Sequence, residues 1–236
     1  MQRIRKLIYS LLLKTILFRE YRNSKNANFW YRSLREKRQE DPKYDLSTES
    51  YWQYYHDLRI SREAFKGKRI IDIGCGPRNS LALFDAEIRI GVDPCIDKCH
   101  EKFTKYGLED LGKHEMLYIS CPSENIPLPN RSIDAIVCAN ALNHVDSPFK
   151  TIVEAHRLLK QGGDFHISSD IGGQIKVNEP HPLKVEQLKT WLTGLFDYEL
   201  RILTDPPEDL NYEYMKYSKR LCSKEKPFML ITAKKL

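Results

Sequence analysis

The chain has 236 residues, 41% of them hydrophobic and 30% charged, with a formal net charge of +6. That suffices for the core of one α/β domain with added elements, and it excludes collagen-like, wholly disordered and polytopic membrane classes. The charge is unevenly placed: residues 1–40 hold 11 Lys+Arg against 3 Asp+Glu, leaving 27 basic against 29 acidic residues after them.

The first residues carry three apolar triplets, Leu7–Tyr9, Leu11–Leu13 and Ile16–Phe18, interrupted by Ser10 and by Lys14-Thr15. A bilayer span needs about 20 mostly apolar residues, and a secretory signal needs an unbroken apolar stretch, so neither is expected. At 100° per residue Arg3, Lys6, Ser10 and Lys14 share one narrow strip of a helix. Such a helix suits an anionic membrane surface through residues 1–20, or else a lid or dimer contact. Asn28–Gln39 reads as a second basic helix or ordered arm, and Asp41-Pro42 as a break.

Ser47–Ser50 supplies cap-type residues before an aromatic-rich helical pattern that runs to Gly67 and includes Tyr51, Trp52, Tyr54, Tyr55 and His56. These aromatics either line an acceptor pocket or glue a lid helix to the body. From Lys68 the texture changes to alternating short strands and helices, which argues for a parallel layered sheet. Strands are expected at Arg69–Ile73, Ile88–Val92, Met116–Ser120, Ile133–Ala139 and Asp164–Ser168. A helix is expected at Pro148–Leu159, ended by Gly162-Gly163. Beyond it come a helix near Val185–Leu195 and strands near Tyr198–Leu203 and Phe228–Ala233. The expected division is a helical extension, residues 1–66, and a domain, residues 67–236.

The six cysteines (75, 95, 99, 121, 138, 222) stand largely in apolar or glycine-rich surroundings and read as reduced thiols of a cytoplasmic protein. Cys95, Cys99 and His100 have no second ligand pair, so no metal is expected.

The most informative stretch is Ile70-Ile71-Asp72-Ile73-Gly74-Cys75-Gly76-Pro77. A strand ends near an acid and turns through glycines, which lets the backbone turn tightly and approach a ligand. Asn79 stands where a dinucleotide-binding loop wants a third glycine, and the Gly-Lys-Ser/Thr of a phosphate-binding loop is missing. An acid beside the turn repels a pyrophosphate but suits an amino-acid ammonium. Asp93, in Gly91-Val92-Asp93-Pro94 about 20 residues on, can take both hydroxyls of a ribose.

With Cys121–Pro129 leading into Ser132–Cys138, with Cys138–Val145 and with Glu154–Gly163, these elements resemble the class I S-adenosylmethionine-dependent methyltransferases. The resemblance spans roughly Lys68 to Leu203. It implies a Rossmann-like doubly wound α/β sheet, mostly parallel with a C-terminal antiparallel strand. It places S-adenosylmethionine at Asp72, Gly74 and Gly76, its ribose at Asp93 and its adenine near Ser123 and Glu124. Asn140 faces cofactor and substrate. Two departures stand out: Arg78 replaces a frequent loop glycine and suits the cofactor carboxylate, and Pro122 replaces a frequent adenine-binding Asp.

An oxygen acceptor needs a base, and the candidates on loops at the C-terminal edge are His144, Asp170 and His181. His166, inside a strand, reads as packing. The first functional expectation is a small-molecule or glycan O-methyltransferase, with a lipid-linked acceptor and the inner membrane face suggested by the basic start. The alternatives are a nucleic-acid methyltransferase using residues 1–40, disfavoured by a body of charge −2 and by Asn140-Ala141-Leu142-Asn143, or a non-catalytic cofactor-binding protein.

Overall fold

The computed structural model describes residues 48–76, 80–96, 114–177, 179–204 and 227–236. The basic start, Asn28–Gln39, Pro77–Asn79 with Arg78, and Cys99, His100 and Cys222 lie outside the described residues. The described helices are α1 (Thr48–Asp57), α2 (Pro148–Leu158) and α3 (Val185–Leu192). The strands are β1 (Arg69–Ile73), β2 (Ile88–Val92), β3 (Leu117–Ile119), β4 (Ile133–Ala139), β5 (Leu159–Asp170), β6 (Phe196–Leu203) and β7 (Phe228–Lys235).

Strand alternation builds a two-faced sheet, because successive side chains point to opposite sides. On one face Ile71 and Ile73 of β1 join Ile136 and Cys138 of β4, under Ile152, Ala155 and Leu158 of α2 and Leu188 and Leu192 of α3. On the other face Ile70, Ala135 and Val137 pack with Tyr55, Leu58, Phe65, Leu81 and Phe84. Residues 48–66 therefore share a core with the sheet. Phe84 is the hub of that second cluster, edge-on to Trp52 and Tyr55 at 4.9 and 4.7 Å between centroids and tilted against Phe65 at 4.7 Å. The aromatics of α1 thus fasten it to the body.

The strand order is β3-β2-β1-β4-β5-β7-β6, with β7 antiparallel to both neighbours and the other pairings parallel. This is the expected doubly wound sheet with its C-terminal antiparallel strand. The order reverses between β1 and β4, and in such sheets the crevice at the C-terminal ends of those strands is where ligands bind.

The strands β1, β2 and β4 fall where the sequence places them. The helix expected to run to Gly67 does not: it ends at Asp57. Ile60 N–H donates to Tyr55 O at 2.8 Å and Arg59 N–H to His56 O at 2.8 Å, with Arg59 at φ 58°. That is the Schellman stop, built here on Arg instead of the usual Gly, with buried Ile60 and Tyr55 closing its apolar contact. Other boundaries move as well: β3 is one residue shorter at each end, β6 begins at Phe196 and β7 runs on to Lys235. α3 stops at Leu192, and β5 begins directly after α2, at Leu159 rather than after the glycines. Leu159 pairs with Ile133 and Asp164 with Ala135, so the intervening residues form a bulge opposite Asp134. The last strand lends α2 its cap: buried Lys235 Nζ donates to the carbonyls of His156 (2.6 Å) and Leu159 (2.9 Å).

The Glu154–Gly163 motif has a plain mechanical purpose. Glu154 accepts the backbone N–H of Ile126 at 2.7 Å and pairs with Arg157 at 2.7 and 2.8 Å. Arg157 in turn donates to the carbonyls of Ile126 and Leu128, at 2.9 Å each, and to Asn130 Oδ1 at 2.6 Å. One bidentate pair on α2 thereby fixes the loop that enters β4. Arg157→Ala strands the Glu154 charge and two carbonyls, and is expected to cost about 3 kcal/mol in urea unfolding. The double variant with Glu154→Ala is expected to cost less than the two single losses combined. A single-variant cost below about 1 kcal/mol would show that the clamp contributes no more than a surface pair.

Candidate active site

The turn after β1 is held from below and pressed from the side. Gly74 N–H donates to Val92 O at 2.7 Å, bringing the ends of β1 and β2 together. Gly74 has φ 71°, and a Cβ built there would stand 2.3 Å from the Cβ of Ala141. Only glycine meets both demands, so the turn closes directly against the loop that follows β4. Gly76, at φ 55°, donates its N–H to Asp93 Oδ2 at 3.2 Å, and Asp93 Oδ1 accepts from Cys95 N–H at 2.7 Å. Asp93 thus ties the glycine turn to the end of β2. Burial raises its carboxyl above the ordinary range, against the pull of those two backbone donors.

Asp72 lies on the α1 face of β1, next but one to Ile70. It is 3% exposed; its Oδ2 accepts from Ser80 Oγ at 3.5 Å. Burial pushes its carboxyl up to about 7, the Asp93 charge adds to the rise, and the Ser80 hydrogen bond opposes it. Asn140 stands at the end of β4 with φ 50°, its N–H donating to Ser168 O at 2.8 Å and more weakly to Ser168 Oγ at 3.3 Å. Asp72 Oδ1, Asn140 Oδ1 and Asn143 Oδ1 are buried without a hydrogen-bond partner among the described residues. Buried polar oxygens are normally satisfied, so these three mark where an incoming donor is missing.

Ser123 and Glu124, expected beside an adenine, are committed to α2. Ser123 Oγ lies 2.9 Å from Thr151 Oγ1, and Glu124 Oε1 accepts the N–H of Ser147, the residue that caps α2, at 2.6 Å. Burial raises the Glu124 carboxyl above its ordinary range, and the Ser147 N–H works against that rise. The three candidate bases divide. His181 reaches across to the β4 loop: its Nε2 is 3.0 Å from Asp146 O and its N–H donates to Asn143 O at 3.4 Å. His144 belongs to that same loop, its N–H bonded to Ala141 O at 2.9 Å. Asp170 closes β5, opposite Phe228 of β7. His166 is buried against Phe65, and burial lowers its imidazole to about 4, so it stays neutral in the core.

Four groups at this site carried no sequence signal. Ser80 and Ser168 sit in no motif, and the hydroxyls of Tyr54 and Tyr55 are indistinguishable from packing aromatics until α1 is placed. Tyr55 donates to Ser80 Oγ at 2.6 Å, and the Tyr54 hydroxyl is hydrogen-bonded to Ser168 Oγ.

Residues 71–167 match the model of the methyltransferase domain family, from β1 through β5. Over that stretch, less than half of its length, the chain is similar to methyltransferase domains. Its sequence is similar to that of the uncharacterized methyltransferase YcgJ of Bacillus subtilis, at 30% identity over 99 residues, 41% of this chain and 38% of YcgJ. The YcgJ crystal structure matches with a TM-score of 0.57 at 16% identity, covering 79% of this chain and 98% of that one. A ubiquinone biosynthesis O-methyltransferase of Roseobacter denitrificans is 26% identical over 169 residues, 70% of this chain and 66% of its own length. An S-adenosylmethionine-dependent methyltransferase structure from Mesorhizobium loti matches at TM-score 0.56 and 19% identity, over 79% of this chain and 98% of its own. The chain spans 38–47% of the length of the first curated relatives it matches.

Asp72 links this candidate site to the stability of the fold. The folded carboxyl holds its proton to about 7, whereas the ordinary value is 3.8. Its contribution is therefore full below pH 4 and is lost as pH rises from 4 to 7. Asp72→Asn is expected to gain on the parent through that window, at most ~1.4 kcal/mol per pH unit, and to keep its lead at pH 8. Urea unfolding from pH 4 to pH 8 measures this, and parallel profiles would refute the buried charge.

Proposed function

We propose that the chain is an S-adenosylmethionine-dependent methyltransferase that methylates an oxygen of a small-molecule or glycan acceptor. The observation that carries this reading is the pair of buried oxygens Asp72 Oδ1 and Asn140 Oδ1, without a hydrogen-bond partner among the described residues, beside a glycine turn pressed onto the β4 loop. A buried carboxylate oxygen without a donor is costly, and an α-ammonium relieves that cost with a charge-assisted hydrogen bond. Each Asp93 oxygen accepts one backbone N–H, and a carboxylate with several acceptor sites suits the paired hydroxyls of a ribose. These donor and acceptor sets fit the amino-acid and ribose parts of S-adenosylmethionine, with Asp72, Gly74, Gly76, Asp93 and Asn140 holding it and Arg78 suited to its carboxylate.

When bound, S-adenosylmethionine supplies a methyl on a sulfonium sulfur, an electrophile that needs no activation by the protein. The chain's own work is to align the acceptor, exclude water and remove the acceptor's proton. His181 is the preferred base. With a proton on Nε2 donated to Asp146 O, Nδ1 is the nitrogen that accepts a proton from a hydroxyl. His144 and Asp170 are the other candidates on the same edge. The Roseobacter denitrificans relative, named as an O-methyltransferase, supports an oxygen acceptor.

The decisive assay incubates the protein with labelled S-adenosylmethionine and extract fractionated into lipid, glycan, RNA and small molecules, then identifies the methylated product by mass. His181→Ala is expected to lower turnover about 100-fold or more while leaving S-adenosylhomocysteine affinity nearly intact. Asp93→Ala is expected to abolish that affinity in calorimetry. Unchanged affinity in Asp93→Ala overturns the ribose assignment, and labelled RNA with no other product overturns the acceptor class.

The basic start fits the inner face of a membrane, where a lipid-linked acceptor resides. Deleting residues 1–20 is expected to release the protein from vesicles rich in anionic lipid and leave cofactor binding intact. A full-length protein that never sediments with such vesicles overturns the membrane role.

A further inference from the structure

Two consecutive tyrosines of α1 reach Asp72 and Asn140, two of the described residues with a buried oxygen left open. Tyr55, 1% exposed, donates to Ser80 Oγ at 2.6 Å, and Ser80 Oγ donates to Asp72 Oδ2 at 3.5 Å. Tyr54 is hydrogen-bonded to Ser168 Oγ, which accepts from Asn140 N–H at 3.3 Å. Asp72 and Asn140 sit on different strands, and the α1 hydroxyls reach both through one intervening serine each.

We propose that α1 is a positioning element of the cofactor site, in which Tyr55 orients the Asp72 carboxylate through Ser80 and Tyr54 steadies Asn140 through Ser168. This rests on the methyltransferase reading above and deepens it. The chemistry follows from the donor inventory. Tyr55 gives its proton to Ser80 Oγ, so the serine's own proton is directed away from Tyr55, onto Asp72 Oδ2. That engages one carboxylate oxygen and leaves the other, Oδ1, for the ligand's ammonium. Asn140 holds a left-handed backbone at φ 50°, a conformation that costs about 1 kcal/mol outside glycine and needs its surroundings to hold it. The Ser168 backbone and side chain both engage the Asn140 N–H, and Tyr54 fixes the Ser168 hydroxyl.

The two arms make different predictions because only one of their targets titrates. Among the described residues, the groups besides Ser80 that bear electrostatically on Asp72 are Asp93 after β2 and Cys138 in β4, neither of them a cation. Tyr55→Phe keeps the ring against Phe84 and removes only the hydroxyl. Ser80 then loses its fixed orientation and its hydrogen bond to the carboxylate weakens.

The test has a ligand-free and a ligand-bound part. In NMR of the carboxyl carbon, the Asp72 titration midpoint is expected about half a pH unit higher in Tyr55→Phe than in the parent, and unmoved in Tyr54→Phe. In calorimetry with S-adenosylhomocysteine, each variant is expected to lose about tenfold in affinity. For Tyr55→Phe, the pH at which affinity falls should rise with the Asp72 midpoint. Ser80→Ala is expected to reproduce Tyr55→Phe, and the double variant to add little. Thermal melting stays close to the parent's in both tyrosine variants. If the Asp72 midpoint and the affinity stay fixed while only melting falls, α1 is packing and the proposal fails. A parent protein that binds no S-adenosylhomocysteine refutes the methyltransferase reading; the NMR arm still decides the relay.

Discussion

Much of this structure is arranged around a carboxylate in the wrong solvent. Asp72 sits in the middle of a strand whose neighbours are isoleucines, 3% exposed, with one oxygen lightly held and the other with no partner. Burial, with the nearby Asp93 charge, carries its carboxyl to about 7 against the opposing Ser80 hydrogen bond. A fold selected for stability would place an Ile there, as at 70, 71 and 73. Keeping an acid makes sense where a cationic ligand completes it. The rest of the site follows from that demand. The glycine turn follows directly after the acid, and Asp93 pins that turn to the end of β2.

The two faces of the sheet divide the labour around that acid. The face under α2 and α3 is the rigid one. There the Glu154–Arg157 pair grips the loop into β4, Ser123 and Glu124 grip the start of α2, and Lys235 grips its end. These contacts bind motif residues to one another, so part of the family signature is scaffolding that holds the β3–β4 loop at the right height. Ser123 and Glu124 show how the two purposes merge: the residues expected beside a ligand are those that moor the loop. The opposite face, under α1, carries the aromatic hub at Phe84 and the two tyrosine hydroxyls that reach toward Asp72 and Asn140.

Local pattern was a good guide where the local term dominates. Continuous β-branched stretches flanked by polar residues located β1, β2 and β4 to the residue, because a strand buried on both faces has no other way to be written. The pattern failed where a long-range partner sets the boundary. The aromatic helix looked continuous to Gly67, yet it stops at Asp57 because Ile60 and Tyr55 find a common apolar cluster and Arg59 accepts a left-handed backbone to let them meet. β5 begins ahead of its glycines because Leu159 pairs with Ile133 across the bulge.

The same division separates the site. The sequence by itself determined the class of fold and the confinement of the positive charge to the first forty residues, and it singled out the glycine turn, Asp72, Asp93 and Asn140 as candidates. Those are properties of spacing and residue type along one stretch of chain. Only the tertiary structure decided that Gly74 abuts Ala141, that His181 joins the β4 loop, and that Ser80 and Ser168 stand between the tyrosines of α1 and the open oxygens. Each of those pairs joins residues 25 to 114 positions apart, or loops from different strands, and a hydroxyl's partner has no periodicity to announce it. A chain can advertise what its strands will bury, but not which distant oxygen a tyrosine will meet once they are stacked.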